Sequence, residues 1–197
     1  MTVHKGPIRI AVLCGSVRPR NYTRMAVDVV VASLSDHPDV SVDVVDPSEL
    51  DLPLPGLEAT SDSAAELREV IGGATAVILA TPEYHGSFSS VMKLMIENLG
   101  FPSALAGKSV ALLGVAAGSI GAIKSLEQLL SVSSHVGAIV LPGPVSVAHV
   151  RTAFNEDGEC VDAGVERRLR GFADGLLGYI HEHLCPRMTL EAMVRAE

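Results

Sequence analysis

Tryptophan is absent from this chain of 197 residues, and aromatic residues make up only 4% of it, with 3 Tyr and 4 Phe. Few rings are therefore available to sandwich a flat ligand from both sides. Cysteine is scarce as well: Cys14, Cys160 and Cys185 are too few and too scattered for a disulfide framework or a zinc site. Cys14 closes an apolar run, where cysteine behaves as a small hydrophobe. The histidines offer no metal set either. His135 and His149 pair with no Cys or carboxylate at ligand spacing, and His181 and His183, two apart on a helix, face different ways. Positive charge is outnumbered, 15 Lys and Arg against 23 Asp and Glu, and the resulting −8 speaks against a general nucleic-acid binder. No segment reaches the roughly 20 apolar residues that span a bilayer. Met1–Pro7 carries no signal-peptide apolar region. A cytoplasmic protein without nucleic-acid or membrane partners is expected.

What the chain does hold is a regular alternation of apolar runs and amphipathic stretches. Ile8–Leu13 reads as a strand covered on both faces, and Tyr22–Leu34 as the helix after it. Val40–Val45 is a second strand, Ser63–Ile71 a helix capped by Ser61 or Asp62, and Ala74–Ala80 a third strand. Val91–Leu99 spaces its apolar residues for one helical face. Lys108–Val115, a helix ending near Val132, and a strand from His135 to Leu141 follow. The prolines of Asp51–Gly56 exclude regular structure there, and Phe154–Cys160 holds an Asp-Gly turn. A last helix covers Ala163–His183. Five strands alternating with five helices predict an α/β protein: a flavodoxin-like, doubly wound, five-stranded parallel sheet of order 2-1-3-4-5. Residues 1–185 are expected to form its one domain, and 186–197 a polar C-terminal tail.

Three loops follow strands that this order makes neighbours, and open α/β sheets bind ligands at that edge. In Gly15–Thr23, Gly15 permits a tight turn, and the helix starting near Tyr22 offers unpaired amides with partial positive charge. Ser16, Asn21 and Thr23 add hydroxyl and amide groups, and Arg18, Arg20 and Arg24 form a basic cluster. This suits a phosphate, although a polar turn capping the helix through Asn21 or Thr23 has the same composition. Pro82–Ser87 brings polar backbone, an aromatic and a glycine, and Ala116–Ser119 is nearly free of side chains, so a flat ring can come close to its backbone. A phosphate at one end and a flat ring at the other describes a mononucleotide such as FMN.

Two of these loops carry a more specific pattern. Gly15-Ser16-Val17-Arg18 and Pro82-Glu83-Tyr84-His85-Gly86-Ser87 are similar to the Gly-Ser-x-Arg and Pro-Glu-Tyr-Asn-Gly-Ser motifs of the NADPH-dependent FMN reductase family, flavodoxin-like proteins that include quinone, azo-dye and chromate reductases. The resemblance runs from about Ile8 to Leu141. It implies that Ser16, Arg18, Asn21, Tyr22 and Thr23 hold the FMN phosphate. Pro82, Glu83, Tyr84, His85 and Gly86 would contact the isoalloxazine and ribityl chain, largely through backbone, and Gly118 and Ser119 would lie near the pyrimidine side. It also implies a homodimer or homotetramer, with the helix around Lys93 in the subunit contact. His85 stands where Asn is common, Ser89-Ser90 where Pro-Gly is usual, and Asn98 or Leu99 where a Trp often lies.

The activity implied is an NAD(P)H oxidoreductase that passes hydride through N5 of FMN to a small acceptor: flavin, quinone, azo compound or metal oxyanion. No side chain is required as an acid or base, and no motif chooses NADPH over NADH. Two other readings fit parts of the chain. One is an FMN-binding electron carrier without NAD(P)H activity, which the scarcity of aromatics and the arginine in the first loop disfavour. The other is a serine hydrolase: Ala117-Gly118-Ser119-Ile120-Gly121 approaches the nucleophile elbow, with Asp162 or Asp174 and His181 following in order. That reading leaves the first and third strand loops unexplained.

Overall fold

In the computed structural model, which describes residues 7–195, the chain alternates strands and helices around one sheet. The strands are β1 (Ile8–Cys14), β2 (Val40–Val45), β3 (Ala76–Tyr84), β4 (Ser87–Phe88), β5 (Ser109–Val115), β6 (Ile139–Val140) and β7 (Val145–Val147). The helices are α1 (Tyr22–Ser35), α2 (Ser63–Gly73), α3 (Ser90–Glu97), α4 (Ile123–His135), α5 (Val150–Ala153), α6 (Ala163–Tyr179) and α7 (Cys185–Arg195). The Met1–Gly6 part of the stretch read for a signal peptide lies outside the described residues, as do 196 and 197.

The sheet runs β2-β1-β3-β5-β6, parallel throughout, which is the doubly wound, flavodoxin-like order expected for the five main strands. Period-two alternation sorts its side chains. Ile10 and Val12 of β1, with Ala76 and Ile78 of β3, face α1 and α6. Ala11 and Leu13, with Val77 and Leu79, face α2, α3 and α4. Both faces are covered over most of their length, so the inner strands read as near-continuous apolar runs, interrupted in β1 by exposed Arg9. Each fully buried Leu or Ile contributes on the order of 1.5–3 kcal/mol.

Three departures from the expected order have local causes. The fifth strand is split: Pro142 and Pro144 supply no ladder N–H, so β6 stops at Val140 and β7 resumes at Val145, both beside β5. His135 ends α4 rather than opening a strand. Most consequentially, the segment read as the Pro82–Ser87 loop is a hairpin. β3 continues through Tyr84 and turns back as β4, with Glu83 opposite Phe88 and Tyr84 opposite Ser87. Beyond α6 the chain makes one π-helical turn over Ile180–Leu184 and enters α7, so the expected boundary at 185/186 falls on the first residues of a helix. Ser61 Oγ, not Asp62, accepts the Ser63 amide at the start of α2.

Candidate functional site

The carboxyl ends of β1, β3 and β5 surround a cavity of ≈ 350 Å³, within the range of small-molecule sites. Its floor is set by a close approach of backbone. Gly15 N–H donates to Ala80 O at 2.7 Å, and a Cβ on Gly15 would stand 2.9 Å from that oxygen and 3.1 Å from Ser89 Oγ. Only glycine fits there. Ser89, 2% exposed, ties three segments together: its hydroxyl donates to Gly15 O (2.6 Å) and accepts from Met92 N–H (3.0 Å), and its amide donates to Thr81 Oγ1 (3.1 Å). The β1–α1 turn and the start of α3 are thereby locked to β3.

One wall is the Ser16–Thr23 turn. Asn21 caps α1, its Oδ1 accepting from Arg24 N–H at 2.8 Å, while its Nδ2 donates to Arg18 O at 2.8 Å and closes the turn. That cap satisfies a single amide. The N–H groups of Tyr22 and Thr23 have no acceptor among the described residues. Thr23 is 1% exposed and its hydroxyl also finds no partner among them. Ser16, 4% exposed, accepts only a long 3.5 Å bond from Arg18 N–H. These groups share one wall with guanidinium groups. Their chemistry fits a phosphate ester: unpaired amides, two hydroxyls and a cation at the positive end of a 14-residue helix.

The arginines divide their roles. Arg18 lies over the Tyr84 ring, 4.6 Å from its centroid, and so bridges the first loop and the hairpin. Arg20, in the left-handed region at φ 51°, donates to Glu156 O of the Asn155–Gly158 turn. Arg24, counted with them in the sequence, turns away to Asp28 (2.8 Å) and Asp46 (3.7 Å). Arg151, just inside α5, adds a guanidinium to the cavity wall that no spacing in the sequence announced.

The facing wall is backbone and small side chains, Pro82, Ala116 and Ala117, with Glu83 and Tyr84 beside them. Glu83 directs its carboxylate across the sheet edge to α4, where Oε2 accepts Ser125 N–H at 3.1 Å. His85 and Gly86 form the hairpin turn with φ of 51° and 74°, the two-residue turn with both φ positive in which Asn-Gly is the favoured pair. Tyr22 lines the cavity while packing on Phe154 at 6.5 Å between ring centroids. His85 lies in an adjoining cleft with Arg18, Tyr84 and Phe88. Gly118 and Ser119 do not line the cavity. Gly118 O is taken by the amides of Gly121 (3.3 Å) and His149 (3.2 Å), and Ser119 is exposed.

The hydrolase constellation does not assemble. Ser119 has no hydrogen bond to His181, Asp162 or Asp174. Asp162 caps the start of α6 and His181 lies just past its end, about 28 Å along the axis at 1.5 Å per residue. Cys14, buried beneath the site, has its thiol pushed up to about 11, chiefly by burial, which keeps it protonated and unreactive.

A family model described as NADPH-dependent FMN reductase matches residues 8–152. The chain is 30% identical over 158 residues to the NADPH-dependent FMN reductase ArsH of Shigella flexneri, a match covering 77% of this chain and 60% of that protein. It is 26% identical over 182 residues to a 2-hydroxy-1,4-benzoquinone reductase of a Burkholderia species, covering 89% and 97% of the two chains. Among solved structures, FerB, a flavoenzyme NAD(P)H:(acceptor) oxidoreductase from Paracoccus denitrificans, superposes with a TM-score of 0.75 at 24% identity, over 89% of this chain and 98% of that one. At that identity the superposition speaks to the fold alone.

Proposed function

This chain belongs to the NADPH-dependent FMN reductase family, and from that premise we propose that the cavity at the ends of β1, β3 and β5 holds FMN, with its phosphate on the Ser16–Thr23 wall. The protein is an FMN-dependent NAD(P)H oxidoreductase. When bound, FMN supplies the redox chemistry, taking hydride from NAD(P)H at N5 and passing it to a small acceptor. The observation that carries the placement is the set of donors without an acceptor among the described residues at the start of α1, the Tyr22 and Thr23 amides beside the Ser16 and Thr23 hydroxyls.

The chain's own groups then act by binding and orientation. Ser16, Thr23 and the Tyr22 and Thr23 amides take phosphate oxygens, and Arg18 supplies the opposing charge. Asn21 keeps the turn closed around them through its bond to Arg18 O. Pro82–Gly86 offers its hairpin backbone to the ring, and Ala116–Ala117 permits close approach opposite. Gly118 and Ser119, expected at the pyrimidine side, belong to the outer rim of this arrangement. With Tyr22 and Tyr84 the only aromatic side chains lining the cavity among the described residues and no tryptophan in the chain, one flavin face would be left open to NAD(P)H and then to the acceptor. Flavins, quinones, azo compounds and metal oxyanions are the acceptor classes this open face admits.

Three unpaired thiols suit a reducing compartment, the cytoplasm, where NADPH is supplied. A homodimer or homotetramer built on α3 would cover Phe101, which stands fully exposed just past that helix. Purified protein mixed with FMN, gel-filtered and treated anaerobically with NADPH tests the whole reading. It should retain a visible flavin band that bleaches. A colourless protein that cannot retain FMN would overturn it.

A further inference from the structure

The hairpin whose stem, Pro82–Tyr84, lines the proposed FMN cavity has its turn held by one side chain on α4. Gln128 Nε2 donates to Gly86 O at 2.8 Å, and Ser87 Oγ donates to Gln128 Oε1 at 2.7 Å. The side-chain amide thus spends both its ends on two consecutive residues of a single turn. The turn needs such support. His85 and Gly86 both have positive φ, and histidine, unlike glycine, pays a steric penalty in that region. Nothing else among the described residues bonds the Gly86 carbonyl. One helical turn earlier, Ser125 N–H binds Glu83 Oε2, so α4 grips the hairpin at its stem and at its tip.

We propose that Gln128 is a positioning residue, holding the Gly86–Ser87 peptide in one orientation so that the hairpin presents a fixed set of backbone groups to the flavin. The proposal rests on the placement of FMN argued above. Gln128 itself lies on the exposed face of α4 and lines no part of the cavity, so it acts through the turn alone. A freed Gly86 carbonyl can rotate with its peptide. The turn then samples orientations that present an oxygen where a fixed turn presents an N–H, and such a change alters both the affinity for FMN and the relative stability of its oxidised and reduced forms. Losing both bonds is expected to weaken FMN binding about 5-fold, within a range of about 3–10-fold.

The test compares wild type with Gln128→Ala, Gln128→Glu and Ser87→Ala in the full chain, reading FMN Kd by fluorescence titration and the flavin midpoint potential by anaerobic dye equilibration. Gln128→Ala should raise Kd about 3–10-fold and shift the potential. Gln128→Glu loses the donor to Gly86 O while keeping the acceptor for Ser87, and it should do at least as much. Ser87→Ala should do less, and adding it to Gln128→Ala should change nothing further. Placing His85→Asn, a residue suited to positive φ, in the Gln128→Ala background should restore much of the loss. If wild type binds FMN and Gln128→Ala binds it with equal Kd and potential, losing only thermal stability, Gln128 is merely structural and the proposal falls alone. If wild type itself retains no FMN, the cofactor reading falls and takes this one with it.

Discussion

Two helices begin at the same edge of the sheet, and the side chain on the third amide of each differs in charge: a neutral Asn21 at α1, the Glu83 carboxylate at α4. α1 caps itself with Asn21 and leaves the Tyr22 and Thr23 amides open above a buried, unpartnered hydroxyl. α4 has no side-chain cap of its own, and its Ile123 and Lys124 amides likewise find no acceptor among the described residues, but Ala122 N–H goes to Ser146 Oγ at 2.8 Å and Ser125 N–H to the Glu83 carboxylate at 3.1 Å. Each end carries partial positive charge. One has that charge free for a phosphate, and the other has an internal carboxylate already on it. The difference supports the proposed direction of the cofactor, with its phosphate at β1–α1 and its ring toward β3 and β5.

The largest expected effect comes from stripping the open end of its charge. Arg18→Ala removes a charge-assisted bond of about 1.5–3 kcal/mol and should raise FMN Kd about 10–100-fold in a fluorescence titration. Retention equal to wild type would remove Arg18 from the phosphate site. Thr23→Val sharpens the contrast, since its hydroxyl makes no bond within the protein. FMN Kd should rise about 5-fold, the worth of one hydrogen bond near 1 kcal/mol, while the melting temperature of the FMN-free protein stays level or rises. A fall in that melting temperature would mean the hydroxyl serves the fold.

At the stoppered end the order reverses. Glu83→Gln weakens the bond to α4 and should cost about 0.5–1 kcal/mol of stability in urea unfolding, with a smaller effect on FMN affinity than Arg18→Ala. A larger loss of affinity than of stability would show that the Glu83 carboxylate serves the ligand and not α4. The smallest effect belongs to His85→Asn. Relief at φ 51° should raise the urea midpoint by the equivalent of about 0.5 kcal/mol; an unchanged or lowered midpoint would point to a favourable contact made by the imidazole.

Much of this was legible in the chain and some could not have been. The near-continuous apolar runs of β1, β3 and β5 announced strands buried on both faces, because that signal is local in sequence, and the Gly-Ser-x-Arg turn suggested the anion site proposed here. The split of the fifth strand was also local, written in Pro142 and Pro144, and was missed because β6 keeps only two paired residues. The hairpin at His85-Gly86 was hidden by the histidine: Asn-Gly would have declared the turn. Ser89 had the residue type and place of a helix cap, but its bond to Gly15 O joins residues 74 apart. The bonds of Glu83 and Gln128 to distant segments, the turning of Arg24 toward Asp28 and Asp46, and Arg151 in the cavity wall depend on tertiary packing that no spacing encodes.

The most direct test of the open and stoppered ends is the affinity of wild type for FMN against riboflavin, which differ only by the phosphate. FMN should bind at least about 100-fold more tightly, as several charge-assisted bonds require. That preference should collapse in an Arg18→Ala, Thr23→Val double variant and survive in Glu83→Gln. Equal affinity for the two flavins, or a preference lost only in Glu83→Gln, would contradict the account.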